Sequence, residues 1–206
     1  MFINYKVISD TTLNSTPFLW HMDDNLITPE FRARLVNTFP KSGYSEYMAD
    51  KNCRTYYAFN KPIELKHPHF GLDSGEVIWQ KFLKELVSKK YITSLSKLCN
   101  IDLRSSKIEM NLWKYTKGNF LPPDTEYPNK VVTQLFYFND NWEEDYGGLL
   151  EILSSSSHGD RYTNIAPANC RSVILVHSPY SWHATTQQHT GKECNVLQIS
   201  FMAKGK

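Results

Sequence analysis

The order of apolar and polar positions divides the chain into a helix-forming first half and a strand-forming second half. In residues 28–39, apolar side chains recur every three or four positions after a Thr-Pro pair that is typical of a helix start. The same spacing predicts a second helix over 74–92, and residues 92–100 are expected to begin a third. From about residue 107 the period changes to two, which is typical of β-strands.

The second half contains short alternating segments that are separated by Gly-, Pro- and Ser-rich turns. Strands of this kind without helices between them favour a double-sheet antiparallel barrel of the jelly-roll type. We therefore expect a mainly β, single-domain protein over 1–206, with a helical support region and the first strands in 1–106 and a jelly-roll core that carries the site in 107–206. The predicted strands are 107–115, 130–139, 148–153, 162–167, 170–178 and 195–203.

Composition narrows the classes of partner. The net charge of the 206 residues is only +2, and no basic run is present, so nucleic acid is not expected as a partner. No segment is apolar for long enough to span a membrane, and the first residues do not resemble a leader, so we expect a soluble cytoplasmic protein. Cys53, Cys99, Cys170 and Cys194 include no C-x-x-C pair, which argues against a zinc knuckle.

One polar cluster stands out within the strand-forming half. Asp124 and Glu126 lie between a Gly/Pro-rich turn and a predicted strand, and His183 follows in the segment SWHA. Carboxylates and imidazole are ligands for transition metals, and paired carboxylates can also exchange protons. The same residues also fit a surface turn and a structural histidine, so spacing alone leaves the alternatives open.

Five stretches together resemble a known family. In order and spacing they are similar to prolyl-hydroxylase-like members of the 2-oxoglutarate/Fe(II) dioxygenase superfamily. This resemblance implies a double-stranded β-helix, which is the jelly-roll or cupin-like core. The stretches are STPFLWHMDDNLITPEFRARLVNTFPKSGY at 15–44, KYTKGNFLPPDTEYPNK at 114–130, VVTQLFYFNDNWEEDYGGLLEIL at 131–153, SVILVHSPYSWHA at 172–184 and CNVLQISF at 194–201.

The resemblance also implies a site, because such proteins hold iron with a His-x-Asp pair and a distal His, and grip 2-oxoglutarate with an Arg. Here the corresponding positions are Asp124, Glu126, His183 and Cys194, and only His183 keeps the family's residue type. Tyr115 is similar to the family tyrosine that bonds the co-substrate. Asp124, Glu126 and His183 are thus the expected catalytic and metal-binding residues, with Fe(II) or Mn(II) as the metal.

Further residues are candidates for binding a co-substrate or for replacing a lost ligand. Thr133, Tyr115 and Cys194 are expected to contact the co-substrate position. A lost positive charge could be supplied by Arg171, Lys192 or Lys130, and His177 or His189 could substitute as metal ligands.

These departures change the expected charge of the site. Two carboxylates and one neutral histidine leave a divalent ion with no net charge, so attraction for a dianion is weakened. A buried carboxylate without its guanidinium partner costs about 3–5 kcal/mol, or on the order of 10²–10³ in affinity. Without metal, Asp124 and Glu126 would give the pocket two negative charges. The sequence therefore argues against 2-oxoglutarate and favours a neutral or amine-bearing small molecule.

Two classes of function follow. The first is a small-molecule or amino-acid tailoring enzyme, either an oxygenase that holds iron at Asp124, Glu126 and His183 or a metal-free acid/base catalyst. The second is a non-catalytic binding module that keeps the cavity. Cys194 shares a strand face with Val196 and Gln198, which favours a packed thiol, and a nucleophile is the alternative.

Overall fold

The protein, as a computed structural model, folds into two facing antiparallel β-sheets with helices against one of them. The structure describes residues 1–51, 54–73 and 76–203. The helices are α1 (Tyr5–Asp10), α2 (Pro29–Asn37), α3 (Val77–Leu86) and α4 (Lys89–Cys99). The strands are β1 (Trp20–Asp23), β2 (Ser45–Lys51), β3 (Arg54–Pro62), β4 (Ile108–Tyr115), β5 (Leu121–Asp124), β6 (Lys130–Tyr137), β7 (Leu150–Leu153), β8 (Arg161–Ile165), β9 (Ser172–Val176), β10 (His183–Thr185) and β11 (Cys194–Met202).

Strand order confirms the predicted jelly-roll class. The large sheet runs β1-β9-β6-β11-β4-β3-β2, and the small sheet runs β5-β10-β7-β8. Every paired set of strands is antiparallel. Most neighbours are distant in sequence, as is typical of a double-stranded β-helix.

All six strands predicted from the alternation are present, as β4, β6, β7, β8, β9 and β11. The described ranges contain five further strands whose positions the sequence did not give, although first strands were expected within 1–106. Three of the five, β1, β2 and β5, lie at sheet edges. An edge strand pairs on one side only and tolerates charged residues and proline, so its alternation is weak. The large sheet takes β1, β2 and β3 from the first half of the chain.

The helix predicted over 74–92 is wrong in its extent. Residues 74 and 75 lie outside the described ranges, and the remainder is divided between α3 and α4. The break occurs at Ser88, whose side-chain oxygen accepts a hydrogen bond of 3.2 Å from the backbone N–H of Tyr91. This N-cap starts a new helix although the apolar spacing continues through it. Within the described ranges, no helix is both long and apolar enough to cross a membrane.

The two faces of the large sheet bury different groups. Helices α3 and α4 cover the outer face with fully buried side chains such as Trp79 and Phe82. Phe82 meets Phe136 of β6 with ring centroids 5.8 Å apart. On the inner face, Tyr115 and Tyr137 belong to a second cluster that faces the small sheet. Successive residues of one strand therefore serve two separate cores.

Candidate functional site

A cavity lies between the inner face of the large sheet and the small sheet. Its volume is about 80 Å³, enough for several water molecules. Its walls are largely aromatic and aliphatic, with polar groups concentrated near the short strands β5 and β10. The described lining residues are Trp113, Tyr115, Asn119, Leu121, Pro122, Asp124, Glu126, Thr133, Leu135, Tyr137, Gly148, Leu150, Leu175, His183, Ala184, Thr185, Cys194, Val196 and Gln198.

Strand pairing brings Asp124 and His183 together. Asp124 ends β5 and is the register partner of His183, the first residue of β10. Although two prolines precede Asp124, β5 is an edge strand, where proline does not interrupt the sheet. The Asp124 carboxylate accepts a hydrogen bond of 2.8 Å from the backbone N–H of Thr125. Two residues far apart in sequence thus form one wall of the cavity.

Glu126 follows β5 in a left-handed conformation, with φ of 55°. Its Oε2 lies 2.5 Å from the Nζ of Lys130, the first residue of β6. Burial alone would raise the pKa of Glu126, but the charge of Lys130, with His183 nearby, outweighs burial and lowers that pKa. The Glu126 carboxylate is therefore ionised and already has a cationic partner.

His183 has an orientation that is fixed by a backbone group. Its Nδ1 lies 2.9 Å from the carbonyl oxygen of Ser181. Since a carbonyl oxygen can only accept, Nδ1 carries a proton, and in the neutral form of the ring the lone pair is on Nε2. Because His183 lines the cavity, this nitrogen is suited to accept a proton or a hydrogen bond there.

A second histidine, His177, packs against His183 on the side away from the cavity lining. The ring centroid of buried His177 lies 5.6 Å from that of His183, and its Nε2 lies 2.8 Å from the Oγ1 of Thr133. Burial, together with the neighbouring His183, lowers the pKa of His177 to about 3. His177 is therefore neutral, and it connects the cavity wall at Thr133 to the group around Glu126.

Cys194 occupies the opposite wall, as the register partner of Tyr115. The thiol is 2% exposed, and burial raises its pKa to about 12. The side-chain amide of Asn139 lies 3.6 Å from the sulfur. Val196 and Gln198 line the same face, as predicted. A neutral, enclosed thiol of this kind is a packing group, which argues against the alternative of a nucleophile.

Of the candidates for replacing a lost positive charge, Lys130 forms an ion pair with a carboxylate of the cavity wall, that of Glu126. Arg171 forms a bidentate pair with Asp24, at 2.7 and 3.0 Å, and also donates to the carbonyl of Ala166. The Nζ of Lys192 donates to the carbonyl of Asn141 at 2.6 Å. Neither Arg171 nor Lys192 is among the described residues that line the cavity.

Some of the remaining predicted residues line the cavity and others do not. Tyr115 and Thr133 line the cavity as expected, whereas His189 is exposed and lies outside its wall. Sequence reasoning gave Lys130 only a secondary place as a spare cation. The signal that could have found the ion pair is its short separation from Glu126, four residues along the chain.

The described residues do not fit an iron centre with bound 2-oxoglutarate. Asp124, Glu126 and His183 share the cavity, but no three His, Cys, Asp or Glu side chains in the described ranges are grouped closely enough to hold a metal ion. Glu126 is held by Lys130. No Lys or Arg among the described lining residues could pair with a distal carboxylate.

Ion pairing also corrects the charge expected for the metal-free pocket. Asp124 and Glu126 would contribute two negative charges, but Lys130 offsets that of Glu126. The pocket is thus less acidic than the sequence suggested.

One glycine next to the cavity has a steric role. Gly147 has φ of 69°, and a Cβ at this position would lie 2.0 Å from the backbone carbonyl oxygen of Gln187. Only glycine allows this approach, which holds the segment before β7 against the segment after β10. Gly148 then lines the cavity directly.

Solved structures share this fold. A prolyl-4-hydroxylase from Pseudomonas putida is 15% identical, with a TM-score of 0.60 over 98% of this chain and 99% of that chain. A prolyl hydroxylase from Trichoplax adhaerens, in complex with a hypoxia inducible factor oxygen degradation domain peptide fragment, is 17% identical, with a TM-score of 0.62 over 89% and 83%. HygX from Streptomyces hygroscopicus, with nickel and 2-oxoglutarate bound, is 10% identical, with a TM-score of 0.60 over 97% and 86%.

No protein-family model matches the chain, and no curated protein is significantly similar in sequence. The structural likeness confirms the prolyl-hydroxylase-like fold of the 2-oxoglutarate/Fe(II) oxygenases. At these identities it establishes the fold alone, and the chemistry must be argued from the residues of the cavity.

Proposed function

We propose that this chain is a small-molecule tailoring enzyme that binds a neutral or amine-bearing substrate in the barrel cavity without 2-oxoglutarate. One observation carries the proposal. The cavity wall has two carboxylates, one of them paired with Lys130, and none of its described lining residues is a lysine or an arginine. A pocket with carboxylates and no cationic side chain among its described lining residues disfavours a dianion and accommodates neutral or amine-bearing molecules.

The far wall gives the physical reason for excluding 2-oxoglutarate. Where the family resemblance implies an arginine, the cavity has the enclosed thiol of Cys194, with Tyr137 and Val196 also on its walls. A carboxylate placed there would lose its hydration and gain no cationic partner. The cost of leaving a buried carboxylate unpaired is about 3–5 kcal/mol, or on the order of 10²–10³ in affinity.

The wall formed by Asp124, Glu126 and His183 can perform acid/base chemistry. Ser181 holds the His183 ring through Nδ1, and His183 lines the cavity, so Nε2 can accept a proton from a bound substrate. Asp124, next to His183 across the strand pair, stabilises the imidazolium that forms. Glu126 remains ionised through Lys130 and adds to this stabilisation.

Titration calorimetry with 2-oxoglutarate, in the presence of Fe(II) or Mn(II) and without oxygen, tests the proposal. We expect no binding in the micromolar range. Micromolar binding with either metal would overturn the proposal, whatever the substrate. A control variant should gain 2-oxoglutarate binding. The double variant Asp124→His with Cys194→Arg restores two of the residue types that the family resemblance implies. We expect it to bind 2-oxoglutarate more tightly than the native chain, provided that circular dichroism confirms folding.

An oxygenase that holds iron at Asp124, Glu126 and His183 is the second candidate. The hydrogen bond from His183 Nδ1 to a carbonyl favours it, because such bonds commonly orient metal-binding histidines. This candidate requires Lys130 to leave Glu126. Metal analysis of anaerobically purified protein beside Asp124→Ala and His183→Ala decides it. One bound iron that both variants lose supports the oxygenase, and equal metal content in all three proteins removes it.

A further inference from the structure

One side-chain amide in the cavity wall is fixed in a single orientation. The Nε1 of Trp113 lies 2.7 Å from the Oε1 of Gln198, and both residues line the cavity. Because an indole nitrogen can only donate, the amide must present its oxygen to Trp113, which removes the usual ambiguity between amide oxygen and nitrogen. The NH₂ group of Gln198 is therefore the part of the amide that the indole does not hold.

The other hydrogen-bonding groups of Gln198 are already used. Gln198 lies within β11 and pairs with Asn111 of β4 and with Leu135 of β6, so its backbone groups belong to the sheet. Within the part of the chain that the structure describes, the Nε2 of Gln198 has no hydrogen-bond partner, and it is not one of the unpartnered atoms sealed from solvent. Two N–H donors thus remain for a molecule in the cavity.

Strand register places this donor close to the acid/base wall. Leu135 is the partner of Gln198 on β6, and Thr133 lies two residues further along that strand on the same face. Diagonal neighbours of this kind are about 7–8 Å apart. Thr133 is hydrogen-bonded to His177, whose ring packs against His183. A small ligand can therefore contact Gln198 and the wall that contains His183 at the same time.

The chemistry of an amide N–H donor selects the group that it binds. An ammonium group has donors only, so it gains no hydrogen bond from the Gln198 NH₂. A carboxylate can accept, but the described lining residues include two carboxylates and neither lysine nor arginine to offset its charge. A neutral carbonyl oxygen accepts without either cost, and the cavity volume of about 80 Å³ favours a small molecule.

We propose, resting on the function proposed above, that the substrate is a small neutral carbonyl compound whose oxygen accepts a hydrogen bond from the Gln198 amide. Gln198 is the specificity-determining residue. Trp113 is a positioning residue, because its indole N–H keeps the amide oxygen occupied and the NH₂ group free for the ligand. Of the neutral and amine-bearing molecules that the pocket accommodates, the site therefore prefers the neutral ones.

Binding of four small probes tests the inference at neutral pH by calorimetry and NMR titration. The probes are propanamide, butanone, propanoate and n-propylamine. We expect propanamide and butanone to bind about tenfold or more tightly than propanoate and n-propylamine, because only the two neutral carbonyl compounds accept from Gln198 without an uncompensated charge.

The variant Gln198→Glu reverses the polarity of the amide at nearly constant shape. It keeps an oxygen that accepts from Trp113 and replaces the NH₂ group by a second acceptor. We expect the ratio of propanamide affinity to n-propylamine affinity to fall about tenfold or more. Circular dichroism confirms that the variant is folded.

Asn119→Asp is the matched control. Asn119 also lines the cavity, and its Oδ1 accepts from the backbone N–H of Thr116 at 2.7 Å, so the substitution adds a carboxylate and keeps this bond. We expect a smaller change in the same ratio, because only charge is altered near the ligand. Equal changes in Gln198→Glu and Asn119→Asp would show that charge, and not the Gln198 donor, sets the preference, and would overturn the inference.

The variant Trp113→Phe tests the positioning role. It keeps an aromatic ring and removes the N–H that holds the Gln198 oxygen. The amide can then rotate and present its oxygen to the cavity, so we expect the preference for propanamide over n-propylamine to decrease. An unchanged preference in folded Trp113→Phe would contradict the positioning role of Trp113.

The outcomes separate this inference from the proposed function. Equal binding of propanamide and n-propylamine to the native chain, or no binding of propanamide at millimolar concentration, overturns the carbonyl inference and leaves a pocket without 2-oxoglutarate intact. Micromolar binding of 2-oxoglutarate with Fe(II) would overturn the proposed function itself.

Discussion

The two faces of the large sheet are built by the same strands and have opposite properties. On β6, Phe136 points to the helices and is fully buried against Phe82, whereas Leu135 points inward and lines the cavity. On β11, Leu197 and Cys194 divide in the same way between the two clusters. An alternating strand therefore specifies which side chains share a face, but not whether that face is filled.

The element that packs on each face of the large sheet decides whether that face is filled. Helices α3 and α4 present large apolar side chains that fill the space over the outer face. The buried Gln134 on that face accepts from Tyr91 and donates to Ser172 at 3.1 Å. The small sheet, with only four short strands, leaves a cavity of about 80 Å³ over the inner face. Polar side chains such as Thr133 and His183 therefore line a cavity and not a filled core.

The largest expected effect contrasts neighbours on β6. Phe136→Ala should lower the free energy of unfolding by about 3–5 kcal/mol, because it opens a void in a filled core. Leu135→Ala should lower it by about 1–2 kcal/mol, because truncation only enlarges a cavity that already exists. Chemical denaturation at neutral pH measures both values.

Ligand binding supplies the control for this pair. Phe136→Ala, if still folded, should bind a small amine probe such as n-propylamine as the native chain does. Leu135→Ala should change the affinity for the same probe because it alters the cavity wall. Equal losses of stability in the two variants would contradict the distinction between a filled face and an open one.

The second effect concerns the buried histidine of the inner face. His177 has its pKa lowered by burial and by His183 from an ordinary 6.5 to about 3. Between these two pKa values, His177 binds a proton in the unfolded chain but not in the folded chain. The contribution of His177 to stability is therefore full above pH 6.5 and is lost as the pH falls. We expect the free energy of unfolding to decrease by up to about 1.4 kcal/mol per pH unit below pH 6.5.

The variant His177→Gln isolates this contribution, because it cannot titrate. Its unfolding free energy should depend less on pH between 6.5 and 4.5 than that of the native chain, measured by denaturation at several pH values. The range is chosen to lie above the titration of Glu126, whose pKa is lowered. Identical slopes in the two proteins would mean that His177 is not kept neutral by the inner face.

The smallest effect comes from the rim of the barrel. Arg171→Ala breaks the bidentate pair with Asp24, whose side chain is 40% exposed, and should lower the free energy of unfolding by about 1 kcal/mol. Because Arg171 does not line the cavity, binding of n-propylamine and of 2-oxoglutarate should be unchanged. A tenfold change in either affinity would mean that Arg171 interacts with the ligand, and it would contradict the distinction between the rim and the cavity.

Sequence reasoning located the apolar strands β4, β6, β9 and β11 and missed the short strands β5 and β10. The four located strands are rich in apolar residues over five to nine positions, so their signal is strong. β5 was missed because two of its four residues are prolines, and β10 because three residues hold too little pattern. The division between α3 and α4 was missed because the apolar spacing continues through Ser88.

The sequence indicated which polar residues share the cavity, but it did not indicate the contacts that these residues and their neighbours make. The resemblance and the residue types singled out Asp124, Glu126 and His183, and all three line one cavity. The sequence did not reveal that Lys130 pairs with Glu126 or that Arg171 turns away to Asp24. Both contacts depend on where loops return to the sheets.

By itself, the sequence determined the jelly-roll class, the inward position of Cys194, Val196 and Gln198, and the absence of an arginine where the family resemblance implies one. These follow from residue type and from local periodicity, which each segment carries within itself. Only the tertiary structure decided the ion pair between Glu126 and Lys130, the proton position on His183 and the open inner face. Each of these depends on where the fold places a backbone or side-chain partner, and no local pattern records that placement.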